Sequence, residues 1–73
     1  MPTNTNKLIG RIVEYGYTLS AFANKLGITR QTLRNKLYNI TDFRASEIIT
    51  ICDLLKIENV EEYFFCEENS QNG

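Results

Sequence analysis

Residues 18–39, with the sequence TLSAFANKLGITRQTLRNKLYN, constrain the fold of this chain more than any other stretch. Phe22, Ala23 and Leu26 recur at the spacing of one buried helix face. Gly27 follows directly, and glycine most readily adopts the positive φ found where a helix ends. The stretch therefore predicts two short helices joined by a tight turn at Gly27. We call residues 18–39 the two-helix unit.

The second helix of the two-helix unit is expected to expose most of its circumference. Thr29 is a suitable N-cap for it, as Thr18 is for the helix before it. Leu33 and Leu37, four residues apart, supply its narrow buried face. Asn39, a residue type that tolerates a left-handed conformation, is expected to end the helix.

Three further helices are expected around this unit. The apolar positions of residues 8–13 follow one helical stripe, and residues 1–6 before them are expected to form a loose arm. A fourth helix is predicted to begin near Ala45, and we expect it to be central because it is the most apolar. A short fifth helix follows Asn59, its expected cap.

The length allows one small domain. We predict an all-α, compact five-helix fold over residues 1–65 and a flexible polar tail over residues 66–73. No apolar run reaches the roughly 18 residues of a membrane span, and no secretion signal is recognisable. Cys52 and Cys66 make a poor disulfide framework, so we expect free thiols in a reducing, cytoplasmic compartment. Without histidine or a Cys-x-x-Cys pair we expect no metal site, and no cofactor or small-molecule effector is evident.

The net charge of −1 conceals a strong asymmetry. Residues 1–41 hold six basic side chains against one acidic side chain, a balance of +5. Residues 42–73 hold two basic side chains against eight acidic ones, a balance of −6. We therefore expect one basic face, which contains the two-helix unit, and one acidic face.

The polar residues of the second helix are of the types with which a DNA major groove is read. Arg matches guanine O6 and N7, and Gln or Asn matches adenine N6 and N7. The positive end of the helix dipole also favours a phosphate. A run of Arg, Gln and Asn is equally typical of an ordinary solvated helix face, but the Gly-turned partner helix and the basic half favour DNA contact.

A small residue, a turn residue and apolar packing positions together form a recognisable pattern, namely Ala23, Gly27, Ile28 and Leu33, followed at the helix opening by Thr29-Arg30-Gln31-Thr32. With these residues the chain resembles the lambda-repressor-like, Cro/Xre-type helix-turn-helix regulators of phages and mobile elements. The resemblance covers roughly residues 7–65. It implies a sequence-specific transcriptional regulator that inserts its third helix, about residues 30–38, into the major groove of double-stranded DNA.

The resemblance also implies which side chains contact DNA. Five are implied to read base edges, namely Arg30, Gln31, Thr32, Arg34 and Asn35. Six are implied to contact the DNA backbone, which positions a protein without specifying sequence, namely Thr18, Ser20, Thr29, Lys36, Asn39 and Arg44.

Three departures from the family pattern stand out. Leu19 occupies the first position of the second helix, where a phosphate-gripping Gln is common. Ile12 and Leu37 stand where several family members have an Arg–Glu pair, which suggests an apolar contact instead. Lys36 stands where an apolar residue is usual, which suggests a rotated end of the third helix.

One recognition helix reads a short sequence, and family members therefore bind as dimers to half-sites about 34 Å apart. We expect a weak homodimer on a palindromic operator, with the spare apolar surface of the fifth helix at the dimer interface: Tyr63, Phe64 and Phe65. Two of these three aromatic residues are expected to pack in the core.

Other functions remain open at this point. The main alternative is a protein-interaction module that binds another regulator, a toxin or a recombinase through its acidic half. An enzyme is not expected, because the chain has no His, no paired nucleophile and base, and no Gly-rich phosphate loop, and we assign no catalytic residue. Among DNA-binding roles, a repressor, a Cro-like switch and an excisionase-like protein are not distinguished.

Overall fold

The computed structural model describes residues 2–64, which form five α-helices and contain no β-strand. The helices are α1 (Thr5–Glu14), α2 (Leu19–Leu26), α3 (Arg30–Leu37), α4 (Ala45–Leu54) and α5 (Glu61–Phe64). The prediction of an all-α fold with five helices is confirmed. The predicted polar tail, residues 66–73, lies outside the described residues.

Local capping fixes where the helices begin and end. The side chains of Asn4, Thr18 and Thr29 each accept a hydrogen bond from a backbone N–H in the first turn of α1, α2 and α3. Each such cap contributes about 1 kcal/mol to helix stability. Gly27 ends α2 with φ 75°, and Asn39 follows α3 with φ 65°. The predicted caps Thr18 and Thr29, and the predicted left-handed residues Gly27 and Asn39, are confirmed.

The core is formed where the helices meet. α2 packs against α3 and α4, and α1 packs against α3 and α5. The largest fully buried side chains come from all five helices and the residue after α4, namely Leu8, Ile12, Phe22, Leu33, Leu37, Ile51, Leu55 and Phe64. The loop before α4 joins this core through Phe43, whose ring meets Phe64 edge to face at 5.5 Å between centroids. Burial of these side chains is the main driving force for folding.

The expectation that α4 is the central helix is wrong. Ile51 is the one buried residue within its bounds, and Ile49 is 69% exposed. A helix buries roughly a 100° stripe of its surface against its neighbours. The apolar residues of α4 occupy more of its circumference than that stripe can cover.

The expectation of a loose N-terminal arm is also wrong for the described residues of the arm. Thr3 is buried, and its backbone N–H and C=O both bond the Asn39 amide, at 2.7 and 3.0 Å. The Asn4 N–H donates to the Tyr63 carbonyl at 2.8 Å, and the Thr5 hydroxyl donates to the Leu37 carbonyl. The arm therefore joins the end of α3 to α5.

No helix within residues 2–64 is long and apolar enough to cross a membrane.

The first prediction concerns Asn39, which combines a positive φ with the two hydrogen bonds to Thr3. Asn39→Gly keeps the left-handed conformation accessible but removes the amide, and we expect a loss of about 1–3 kcal/mol in unfolding free energy. Asn39→Ala also strains the backbone and is expected to lose about 1–2 kcal/mol more. Urea denaturation followed by circular dichroism measures both. Equal stability of the two variants and the wild type would contradict this role for Asn39.

Candidate nucleic-acid interface

One face of α3 is buried against the rest of the fold, and the opposite face is exposed to solvent; we call the exposed face the open side of α3. Leu33, Lys36 and Leu37 are its buried residues. Arg30, Gln31 and Arg34 are exposed, and Thr32 and Asn35 are half-buried. The structure thus brings all five predicted base-reading residues onto one eight-residue helix, with Arg30, Gln31 and Arg34 fully on its open side.

The turn between α2 and α3 determines where α3 begins. The Ile28 N–H donates to the Ala23 carbonyl at 3.0 Å, directly after the left-handed Gly27. The Thr29 hydroxyl then accepts from the Thr32 N–H at 3.1 Å and donates to the Thr32 hydroxyl at 2.8 Å. Both predicted contact residues Thr29 and Thr32 are therefore engaged in forming the first turn of α3.

Four side chains on the open side of α3 and its end are paired with one another. The Gln31 Nε2 donates to the Asn35 Oδ1 at 3.1 Å. The Arg34 guanidinium lies over the Tyr38 ring, 5.2 Å from its centroid. Such pairs one helical turn apart each stabilise a helix by a few tenths of a kcal/mol, and they order side chains that would otherwise move freely. Arg30 forms no such pair with any residue in the described range 2–64.

Three of the six predicted backbone-contact residues are exposed at the starts of α2 and α4. Thr18 is exposed, and its hydroxyl accepts from the Ala21 N–H at 3.1 Å as the cap of α2. Ser20 in the first turn of α2 is exposed, and so is Arg44, the residue before α4. Their positions remain compatible with the predicted contacts.

Lys36 is the clearest correction to the predicted site. It was expected to contact DNA phosphates, but it is only 8% exposed, and its Nζ lies 2.7 Å from the Glu47 Oε1. The same Oε1 accepts the backbone N–H of Arg44 at 2.8 Å. A charge held this way inside the fold cannot reach a phosphate. The unusual lysine in an apolar position is therefore a link between α3 and the start of α4.

Asn39 is a second correction, since it was also predicted to contact the DNA backbone. Its amide oxygen and nitrogen both bond the backbone of Thr3. The side chain is thus committed to holding the N-terminal arm.

Two of the three residues predicted at the dimer interface, Tyr63 and Phe64, lie in the core, which agrees with the expectation that two of the three aromatic side chains pack there and removes these two from the predicted interface. Phe64 is fully buried and Tyr63 is 8% exposed, because both pack in the core beneath the N-terminal arm. Phe64 presents no surface to a second copy, and Tyr63 presents almost none. Phe65, the third predicted interface residue, lies outside the described residues.

Ion pairs neutralise part of the positive charge carried by residues 1–41. Among residues 2–64, three basic side chains face carboxylates, namely Lys7 with Glu62 at 3.6 Å, Arg11 with Glu14 at 3.9 Å, and Lys36 with Glu47. Arg11 also donates to the carbonyls of Leu55 and Lys56 at 3.0 and 2.9 Å. Within residues 2–64, the basic side chains of residues 18–44 that have no ion pair are Lys25, Arg30, Arg34 and Arg44. Lys56, after α4, also has no ion pair in this range, so four of the five basic side chains without an ion pair lie in the two-helix unit or directly before α4.

Glu47 was missed by the sequence analysis. Burial raises the pKa of its carboxyl, but the Arg44 N–H and the Lys36 ammonium outweigh burial, so the pKa lies below its ordinary value. Glu47 stands three residues after Arg44, at the position where a Glu side chain reaches back to the first N–H groups of a helix. That spacing, together with a lysine in an apolar position, is the sequence signal that could have found the pair.

The described residues contain no group of three or more metal-ligating side chains. Burial raises the pKa of the Cys52 thiol above its ordinary value, which disfavours the thiolate.

The chain belongs to a protein family described as "Protein of unknown function (DUF739)", whose family pattern matches residues 1–67. No curated protein matches the chain.

The second prediction tests the Lys36–Glu47 pair. Lys36→Met leaves a largely buried carboxylate without its cation, and we expect a loss of about 1.5–3 kcal/mol in unfolding free energy. The double variant Lys36→Met/Glu47→Leu removes both charges and is expected to regain part of that loss, the remainder being the lost cap bond to the Arg44 N–H. Urea denaturation at neutral pH makes the comparison. A single variant as stable as the wild type would show that the pair contributes nothing.

The third prediction follows from the lowered pKa of Glu47. A carboxyl whose pKa is lower in the folded state contributes stability above its unfolded pKa, about 4.3, and loses it as pH falls through the folded value. Glu47→Gln, which mimics the protonated form, is therefore expected to be less stable than the wild type at pH 7. The difference should narrow steadily below about pH 4.3. A difference that stays constant down to acid unfolding would contradict the ion pair.

Proposed function

We propose that this protein is a sequence-specific regulator that binds double-stranded DNA by inserting α3 into the major groove. The observation that carries the proposal is the one-sided attachment of α3. Its buried face is fixed by Leu33, Lys36 and Leu37, while Arg30, Gln31 and Arg34 project from the fold.

The diameter of α3 suits this role. An α-helix with its side chains is about 10–12 Å across, and the major groove of B-DNA is about 12 Å wide. The α2–α3 turn leaves the N-terminal end of α3 at the surface, where DNA contacts of such helices cluster. The positive end of its dipole adds to the attraction for phosphates.

The charge distribution supports the same orientation. Residues 15–41 contain no Asp or Glu, and Lys25, Arg30, Arg34 and Arg44 lack ion pairs within residues 2–64. Acidic residues are concentrated after residue 41. Such a distribution attracts DNA to one side of a protein and repels it from the other.

The roles of individual residues follow from whether their side chains are exposed or already bound within the fold. Arg30 and Gln31 are proposed to read bases, and Arg34 to read a base or contact a phosphate. Thr18, Ser20 and Arg44 are proposed to contact phosphates. Lys36 and Asn39 are no longer proposed as contacts, because the fold itself uses them.

We further propose a phage- or mobile-element-type repressor that acts in the cytoplasm as a weak homodimer on a palindromic operator. The basis is the short sequence that one α3 can read and the resemblance to Cro/Xre-type regulators. The dimer contact is not assigned to Tyr63 or Phe64, since both are core residues.

The alternative is a protein-interaction module that uses the acidic half. The observation in its favour is the exposed Ile49 on α4, together with exposed carboxylates at Asp53, Glu58 and Glu61. Exposed apolar surface with a charged surround is typical of protein contacts.

Selection of bound duplexes from a random pool tests the proposal directly. We expect an enriched motif with two-fold symmetry and half-sites about one helical turn apart. The control is Arg30→Ala/Arg34→Ala, which changes two exposed residues of α3. Failure to enrich any motif at low salt, with the protein shown to be folded, would favour the interaction module.

The fourth prediction concerns Arg30. Arg30→Gln removes an exposed, unpaired charge from α3 and is expected to weaken binding to the selected duplex by about 1–3 kcal/mol and to relax preference at one base pair. The matched control is Lys56→Gln, which removes one exposed charge outside the two-helix unit. Fluorescence anisotropy with single-base substitutions measures both. An equal effect of the two variants would show that Arg30 contributes only general charge.

The fifth prediction concerns salt. The logarithm of the binding constant falls with the logarithm of salt concentration by about 0.9 per phosphate neutralised on B-DNA. With three cations without ion pairs per protomer at the proposed interface, Arg30, Arg34 and Arg44, we expect a slope between about −2 and −3 per protomer. A slope near zero would exclude direct phosphate contacts.

A further inference from the structure

The hydrogen bond between Gln31 and Asn35 is the feature of α3 that the proposed function does not use. The two residues lie one helical turn apart, and the Gln31 Nε2 donates to the Asn35 Oδ1 at 3.1 Å. Gln31 is exposed, whereas Asn35 is half-buried. The pair therefore joins a side chain that reaches into solvent to one that lies closer to the body of the protein.

Asn35 is the better-fixed partner of the two. Its backbone carbonyl accepts the N–H of Ile40 at 2.8 Å and of Thr41 at 3.2 Å, which closes the end of α3. The next residue, Lys36, is held by Glu47. Gln31 lies near the open start of the helix, and the Asn35 amide is its one hydrogen-bonded side-chain partner among residues 2–64.

The hydrogen bond determines what Gln31 can still offer to a base. A glutamine amide has two N–H donors and one acceptor oxygen. With one donor given to Asn35, one N–H and the oxygen remain for a base. Adenine presents a donor (N6) next to an acceptor (N7), which is the complement of that pair. Guanine presents two acceptors, cytosine a donor, and thymine an acceptor and a methyl group, so none of them matches both remaining groups.

We infer that Asn35 is a positioning residue that orients the Gln31 amide to read an adenine in the major groove. This inference rests on the proposed function. Asn35 acts through Gln31 because its hydrogen bond fixes the side-chain torsions of Gln31 before DNA arrives. Because the Gln31 side chain is already restricted before binding, less of its conformational entropy is lost when DNA binds.

A double-mutant cycle on the selected duplex tests the inference. The base position of Gln31 is defined as the one where Gln31→Ala loses its preference. We expect adenine there in the wild type. Asn35→Ala should lower the preference for that adenine at least about two-fold, which is the scale of one amide pair on a helix. In the double variant the two losses should be less than additive.

Asn35→Asp separates positioning from base reading. An Asp side chain keeps the acceptor for the Gln31 Nε2 but cannot offer an amide N–H to a base. Its negative charge is expected to weaken binding to all duplexes, so the quantity compared is the ratio of affinities for adenine and its substitutes. We expect Asn35→Asp to retain the wild-type ratio at the Gln31 position.

Two results would overturn the inference while leaving the proposed function intact. One is a base other than adenine at the Gln31 position. The other is an Asn35→Ala variant whose preference changes only at a different base pair, because Asn35 would then read a base by itself. If the wild type selects no sequence at all, the proposed function fails, and the inference falls with it.

Discussion

The orientation of α3 depends most on the two hydrogen bonds that the Glu47 carboxylate accepts. One oxygen accepts both the Lys36 ammonium, at 2.7 Å, and the Arg44 N–H, at 2.8 Å. It therefore joins the last turn of α3 to the first turn of α4. Leu33 and Leu37 bury the same face, but apolar contacts are non-directional. A short, charge-assisted hydrogen bond adds the directional constraint on how far α3 can rotate about its axis.

The rest of the fold fixes both ends of the same helix. At its start, the left-handed Gly27 and the capping Thr29 fix the direction of the chain. At its end, Asn39 and the Leu37 carbonyl hold the N-terminal arm, which in turn bonds α5 through the Asn4 N–H and the Tyr63 carbonyl. Within the described part of the chain, Arg30, Gln31 and Arg34 on the outward face of α3 make no hydrogen bond or ion pair with another helix. A rigid element with one unused polar face is the arrangement that precise recognition requires.

Much of the fold could be predicted from the sequence because the determining signals are local. The caps Thr18 and Thr29 and the left-handed Gly27 and Asn39 act within one helical turn, so their residue types identify them. The site was harder to predict, because the residue type alone does not show whether a lysine is exposed or buried. Lys36 is buried only because Glu47, eleven residues later, folds back to meet it.

The remaining errors have the same cause. Asn39 was assigned to a DNA contact, but its amide binds the backbone of Thr3 in the N-terminal arm. Asn39 and Thr3 are 36 residues apart in the sequence, and no local pattern indicates their pairing. The apolar content of α4 indicated a central helix, but burial is decided by the neighbours a helix has, and α4 packs mainly against α2.

The central claim is that the open face of α3 contacts DNA. Its most direct test is a titration of the ¹⁵N-labelled protein with the selected duplex, followed by amide chemical shifts in two-dimensional NMR spectra. The account predicts that the largest shifts fall on residues 29–35 and at the start of α2, with small shifts over residues 47–62. Shifts confined to α4 and α5, or no shifts at low salt, would contradict it.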